Sequence, residues 1–276
     1  SIWTADEVIR ALEQCDDPIL SICIHLAFAC SMRIGEILGL TWDCVTADEQ
    51  NIVKGNASVY IEKELSRVRR TAVTQMNGND ILKVIPPLIP GSGATMLVLK
   101  TPKTQSSVRR VWLPETVARL LMRHKDEQDK IKKLMGDYQD FGLVVAQDNG
   151  RPYEEHVIRK GFTRLIKKSG LPSVVFHSLR HTSTTYKLKL NNGDIKSVQG
   201  DTGHSQINMV TDVYSHIIDG DRRQNAQRFE QSFYKPQKGK KGSAPDVSKL
   251  AEALSENPEL AQMLLGLHSK KGSNFD

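Results

Sequence analysis

Of the side chains able to do chemistry, the most informative run is His177-Ser-Leu-Arg180-His181-Thr182. Positions three apart on a helix share a face, so His177 and Arg180 can reach one phosphate, whereas His181 lies roughly 100° round from Arg180. Taken alone, H-x-x-R-H also describes a structural histidine beside a surface arginine. Its companions change the weighing. Downstream stand Gly203-His204 and then Tyr214, ten residues after that histidine, within Thr211-Asp-Val-Tyr-Ser-His216. Upstream stands Ser31-Met-Arg33-Ile-Gly-Glu36-Ile-Leu-Gly-Leu40-Thr-Trp42. Each residue singly has an ordinary use: Arg33 in a structural salt bridge, His204 at a turn after Gly203, Tyr214 in an amphipathic core. Tyr186 and Tyr234 show that a tyrosine by itself identifies nothing.

These residues need elements to position them. Thr4 with Glu7 matches a capping box, and Val8, Ala11 and Leu12 follow at helical spacing, which predicts a first helix over about 5 to 14. Pro18 to Cys30 is apolar on nearly every side, as expected of a helix at the centre of a bundle. A short helix should carry Arg33 to Gly39. Strand-like runs appear at Ala57 to Ile61, Met96 to Leu99 and Val108 to Leu113, predicting one small antiparallel three-stranded sheet. Glu62 to Gly93, polar, basic and rich in turn residues, reads as an insertion or flap. Helical pattern resumes at Pro114 to Lys133, near Glu154 to Lys168, and over His177 to Leu190, where Asn191 to Gly193 ends it. Fold class is therefore α+β and mainly α-helical.

The chain divides into a core of 1 to 234, a basic linker over 235 to 244 and a C-terminal helical tail over 245 to 276. In the tail Val247, Leu250, Leu254, Leu260, Met263, Leu264 and Leu267 form an apolar stripe, and Asn257-Pro258 restarts the helix.

With 276 residues, 39% of them apolar, the chain can bury an ordinary core. Lys and Arg outnumber Asp and Glu by 38 to 32, and the resulting charge of +6 suits a polyanionic partner without identifying one. The longest strongly apolar stretch, Ile19 to Cys30, is far short of the roughly 20 residues that span a membrane. Neither a zinc site nor a disulfide scaffold fits the spacing of Cys15, Cys23, Cys30 and Cys44, so reduced thiols in a cytoplasmic protein are expected. No grouping of His, Cys and carboxylates builds a two-metal nuclease site. The acidic clusters Asp16-Asp17, Asp126-Glu127 and Asp137 to Asp140 read as solvated faces. The chain starts at Ser1 and runs straight into helical sequence, which suggests a fragment.

The order of these segments resembles the tyrosine recombinases, also called the phage integrase family, over nearly all of residues 1 to 234. The resemblance implies that Arg33 and Arg180 bind the scissile phosphate, that His177 is the histidine of H-x-x-R, that His204 is the later histidine and that Tyr214 is the nucleophile. Lys103, in Thr101-Pro-Lys103-Thr-Gln-Ser-Ser107, resembles the family's hairpin lysine; Lys100 is its nearby competitor. Glu36 corresponds to the acidic residue that buttresses the first arginine, and His181 stands beside the site as a supporting residue.

Chemistry fits these assignments. Two guanidiniums offer bidentate donors to phosphate oxygens, and a lysine can protonate the departing 5′ oxygen. The phenol, with an ordinary pKa near 10, needs positive surroundings or a base, for which His177 is the candidate. His204 would donate to the phosphate.

The resemblance further implies a 3′-phosphotyrosyl intermediate on double-stranded DNA with no ATP, metal or other cofactor. It also implies a homo-oligomer of two to four chains on the DNA, favours passing the tail between protomers over docking it on its own chain, and leaves room for DNA-bending accessory proteins. Arg67, Arg69, Arg70, Lys100 and Arg109 are candidate DNA contacts, and Lys238 to Lys241 is a second basic stretch. Integration and excision of a mobile element is the function expected. The alternatives are a chromosome-dimer resolvase, a type IB topoisomerase-like enzyme and a DNA-binding relative with a decayed site.

Overall fold

Thr4 opens the first helix, α1 (Ala5–Glu13), through both halves of a capping box: the Glu7 N–H donates to Thr4 Oγ1 at 3.3 Å and the Thr4 N–H to Glu7 Oε2 at 2.7 Å. Asp17 caps α2 (Pro18–Ala29) by accepting from the N–H groups of Ile19 and Leu20, with Pro18 in the first turn where no donor is needed. As its apolar circumference predicts, α2 is central. Leu20, Ile22, Cys23, Ile24, Leu26, Ala27, Phe28 and Ala29 are all buried, and α2 packs against α3 (Ile34–Leu38), α6 (Glu115–Leu134), α7 (Glu155–Ser169) and α8 (Ser178–Leu190). Two short helices, α4 (Glu49–Val53) and α5 (Arg70–Gln75), lie between α3 and α6. This computed structural model describes residues 2–75, 80–89, 91, 93–190 and 223–235.

The mainly helical α+β class holds, with one correction to the strands. Among the described residues there is not one three-stranded antiparallel sheet but two. In the first, β2 (Ser58–Ile61) lies between β1 (Val45–Thr46) and β6 (Arg109–Trp112). In the second, β5 (Thr95–Lys100) lies between β3 (Glu64–Arg69) and β4 (Ile81–Ile85). The polar segment expected as a flap thus supplies two strands. It hides them because β3 buries only Leu65 well, while β4 leaves Leu82, Lys83 and Val84 exposed, so neither shows the alternation that marks a half-buried strand.

Helix α8 begins at Ser178, directly after His177, and α7 ends at Gly170, whose φ of 62° is the left-handed conformation that favours glycine. Beyond the undescribed stretch, a helix over 223–229 continues into the π-helical turn Glu230–Tyr234. Phe229 and Phe233 pack edge-on against Phe28 of α2, and the buried Glu230 carboxylate accepts from the Thr116 N–H at 2.8 Å, capping the first turn of α6. No helix among the described residues is long and apolar enough to cross a membrane. The linker over 235 to 244, beyond Lys235, and the tail over 245 to 276 lie outside the described residues.

Candidate active site

Arg33 stands at the N-cap of α3, with extended backbone, and its N–H donates to Glu36 Oε2 at 2.9 Å. Its guanidinium reaches the other oxygen of that carboxylate at 2.8 Å. Glu36 does more than buttress Arg33. Arg109 approaches it from β6 end-on, placing Nη1 and Nη2 each 3.0 Å from one carboxylate oxygen. Glu36 and Arg109 are almost wholly buried, whereas a third of the Arg33 side chain remains exposed. Burial would raise the Glu36 pKa, but hydrogen bonds and charge from Arg109, then Arg33, outweigh it and hold the carboxyl below its ordinary value.

Arg180 reaches the same place from α8. It is 2% exposed, and its Nη1 donates to the Ser31 carbonyl. Burial, then the neighbouring charges of Arg33 and Arg109, push its pKa down to about 9, with Glu36 opposing. The group still carries its charge at neutral pH. One carboxylate therefore stands among three guanidiniums, leaving a net positive cluster in which an incoming anion would relieve repulsion.

His177 is exposed at the start of α8, edge-on to His181 with ring centroids 4.9 Å apart. Its pKa is lowered by burial of part of the ring, then by His181, Arg180, Arg33 and Arg159. A neutral imidazole at pH 7 can accept a proton. His181 is likewise exposed.

The two lysines part ways. Lys100 is buried, with Nζ 2.6 Å from Glu64 Oε1 across the β3–β5 pair, whereas Lys103 is exposed in the loop leading from β5 to β6. That loop is not a hairpin turn, since β5 and β6 belong to different sheets. It is braced internally by Thr104 Oγ1, 2.9 Å from Ser107 Oγ, and by the Ser107 N–H, which donates to the Thr104 carbonyl at 3.0 Å. His204 and Tyr214 lie outside the described residues. Tyr234 and Tyr186 have structural contacts: the Tyr234 hydroxyl bonds His25 Nδ1, and the Tyr186 hydroxyl donates to the Ser232 carbonyl at 3.3 Å.

Arg67 and Arg69 are exposed on β3, Arg67 pairing with Glu154 at 2.6 Å, and Arg70 is half-buried at the start of α5. Arg109 and Lys100 depart from the expectation of DNA contacts, because both are buried and ion-paired. Strand parity could have found Arg109: it shares the inward face of β6 with Val111. Ser31 gave no such signal. It adopts a φ of 53°, its carbonyl holds Arg180, and its hydroxyl lies 2.6 Å from Ser183 Oγ, with Lys187 Nζ donating at 3.3 Å. Among the described residues, Asp43, Cys44 and Glu62 could together ligate a metal, but the Lys63 ammonium already bonds Asp43 at 2.8 Å and lies 3.4 Å from Glu62.

The model of the phage integrase family matches residues 3–220, an interval that includes Arg33, Lys103, His177, Arg180, His204 and Tyr214. The chain belongs to the phage integrase family. A tyrosine recombinase XerC-like protein of Caldanaerobacter subterraneus subsp. tengcongensis is 24% identical over 220 residues, which is 78% of this chain and 50% of the relative. The ICEBs1 integrase of Bacillus subtilis is 23% identical over 206 residues, 74% of this chain and 47% of the relative. The chain thus spans about half the length of these curated relatives. Among solved structures, the Tn1549 transposon integrase in complex with transposon right end DNA superposes with a TM-score of 0.53 at 19% identity, covering 94% of this chain and 66% of that one. This likeness establishes the fold.

Proposed function

We propose that this member of the phage integrase family cuts and rejoins double-stranded DNA at specific sites through a 3′-phosphotyrosyl bond to Tyr214, in the integration and excision of a mobile element. The observation that carries this reading is the convergence of Arg33 and Arg180, from opposite ends of the core, on one net positive cluster beside a neutral His177. Such a cluster suits a phosphodiester passing through a transition state with extra negative charge. The family match and the Tn1549 and ICEBs1 integrases support the mobile-element reading.

In the proposed reaction Arg33 and Arg180 grip the non-bridging oxygens of the scissile phosphate. The Tyr214 oxygen attacks phosphorus while its proton passes to His177. The bond to the 5′ oxygen breaks, and that oxygen takes a proton from Lys103. His204 donates to the phosphate. The phosphodiester energy is kept in the new tyrosyl ester, so religation by a 5′ hydroxyl of a second strand reverses each transfer without ATP, and every group invoked belongs to the chain itself. Assembly is proposed as a homo-oligomer of two to four chains on DNA, with the tail over 245 to 276 docking on a neighbouring copy.

The test is a nicked suicide duplex incubated with the intact protein and with Tyr214→Phe, without added metal. A covalent adduct on a denaturing gel, formed only when Tyr214 is present, is the expected result. Adduct with both proteins would move the nucleophile elsewhere. Tight binding without adduct in either would leave a DNA-binding protein with a decayed site.

A further inference from the structure

The loop that carries Lys103 is anchored at both ends, and both anchors lead to the short helix that follows Arg33. At the near end Lys100, the last residue of β5, is paired in register with Glu64 of β3 and bonded to its carboxylate at 2.6 Å. The ion pair has a fixed base. Glu64 lies against Gly39, the residue that caps α3, so closely that a Cβ on Gly39 would stand 2.7 Å from Glu64 Cα and 2.6 Å from the Leu65 nitrogen. The atoms in the way are backbone and cannot swing aside. With a φ of −92°, Gly39 occupies a conformation open to any residue, so the need for glycine is a need for space. One turn earlier Gly35 faces the same strand less tightly, its added Cβ falling 3.3 Å from the Leu65 carbonyl oxygen.

At the far end of the loop, Arg109 opens β6. Its Nη1 donates to the Ser107 carbonyl at 2.9 Å, and its guanidinium clasps Glu36, the carboxylate that also holds Arg33. The near anchor therefore runs Lys100, Glu64, Gly39, and the far anchor runs Ser107, Arg109, Glu36. Between them lies an exposed lysine whose own side chain is long and rotatable.

We propose that Gly39 and Arg109 are positioning residues that set the Lys103 ammonium against the phosphate gripped at Arg33. The proposal rests on the reading of Lys103 as the general acid given above. Proton transfer to a leaving oxygen needs the donor within hydrogen-bond reach, and a misplacement of about 1 Å can cost about 10²-fold in rate. Because the two ends of the loop are clamped to α3, Arg33 and Lys103 move as one body, and sheet β3–β5–β4 serves as the brace. This also accounts for the burial of Lys100 and Arg109, which a role in gripping DNA does not.

The test uses nicked duplexes bearing the site that the intact protein selects from a randomised pool, made with either oxygen or sulfur at the scissile 5′ bridging position. A thiolate departs without a proton, so the sulfur substrate bypasses the acid and nothing else. Single-turnover adduct formation is measured on both for the intact protein, Lys103→Ala, Gly39→Ala, Arg109→Gln, Gly35→Ala and Arg33→Ala, with thermal unfolding and DNA affinity recorded for each. The expected result is that Lys103→Ala, Gly39→Ala and Arg109→Gln lose about 10²-fold on oxygen and return nearly to the wild-type rate on sulfur. Gly35→Ala should show the same pattern more weakly, and Arg33→Ala no recovery. Should Lys103→Ala stay slow on sulfur, the general-acid reading itself falls. Should Lys103→Ala recover while Gly39→Ala and Arg109→Gln are slow on both substrates, or unimpaired on oxygen, the positioning proposal falls and the acid stands. If Gly39→Ala does not fold, Gly35→Ala, which asks only a few tenths of an ångström of its neighbour, takes its place in the comparison with the same criteria.

Discussion

Arg109 and Glu36, seventy-three residues apart in the chain, meet in the core through two hydrogen bonds of 3.0 Å, and the same carboxylate holds Arg33 at 2.8 Å. The partly exposed Arg33 guanidinium is thus held by a carboxylate that is itself fixed in a buried ion pair.

Glu36→Ala should destabilise the protein by about 3–5 kcal/mol, because it strands a buried, charged Arg109. Urea unfolding at pH 7 measures this directly. The pH dependence has a definite sign. The folded-state pKa of Glu36 lies below its ordinary 4.5, so the stability it contributes is present above 4.5 and is lost as the pH falls through the depressed value. The gap between wild type and variant should close on acidification; a gap unchanged to pH 2 would mean that the ionised carboxylate is not the source.

Arg180 sits beside two other guanidiniums, so an oxyanion bound there should stabilise the folded state. Inorganic phosphate is expected to raise the unfolding midpoint of the wild type more than that of Arg180→Met. Equal shifts in the two proteins would assign the effect to general salt action. In the proposed reaction Arg180→Lys should lower adduct formation by about 10²-fold or more while leaving most of the DNA affinity, since an ammonium cannot present two parallel donors. Gel shift and single-turnover cleavage on the same duplex separate the two quantities.

His177 has a pKa held below the ordinary 6.5 by burial and by His181, Arg180 and Arg33. In the proposed reaction the deprotonated ring accepts the proton, so activity should be lost on the acid side. Cleavage measured at limiting enzyme should fall on the acid side with its midpoint below pH 6.5, and His177→Gln should remove this limb. A limb centred above 6.5 that persists in His177→Gln would assign the base elsewhere.

Removal of residues 245 to 276 tests the exchange of the tail between protomers. Truncated protein should bind a single site with little loss yet fail to form higher-order complexes, as read by analytical ultracentrifugation with DNA. Unchanged assembly would place the tail on its own chain.

Much of this protein is legible from order and periodicity. The capping residues Thr4 and Asp17, the all-round apolar character of Pro18 to Cys30 and the amphipathic patterns of α6 and α7 are local properties, and the helices lie where those patterns place them. So too is the set of chemical groups in the order that marks the family, which the family model matches over residues 3–220. Other features depend on partners far away in sequence. β4 is an edge strand with most of its side chains in solvent, so its residues carry no alternation to read, and it is a strand because β5 offers a row of backbone groups to pair with. Lys100 and Arg109 look like surface cations in a basic stretch; only the fold brings Glu64 and Glu36 to them. The positive φ of Ser31 follows from the turn between α2 and Arg33, where its carbonyl must meet Arg180. Composition and spacing determined which groups the chain possesses. Which of them stay open to solvent and which are spent inside holding the others was decided by tertiary packing, because burial and ion pairing are properties of neighbours brought together across the whole chain.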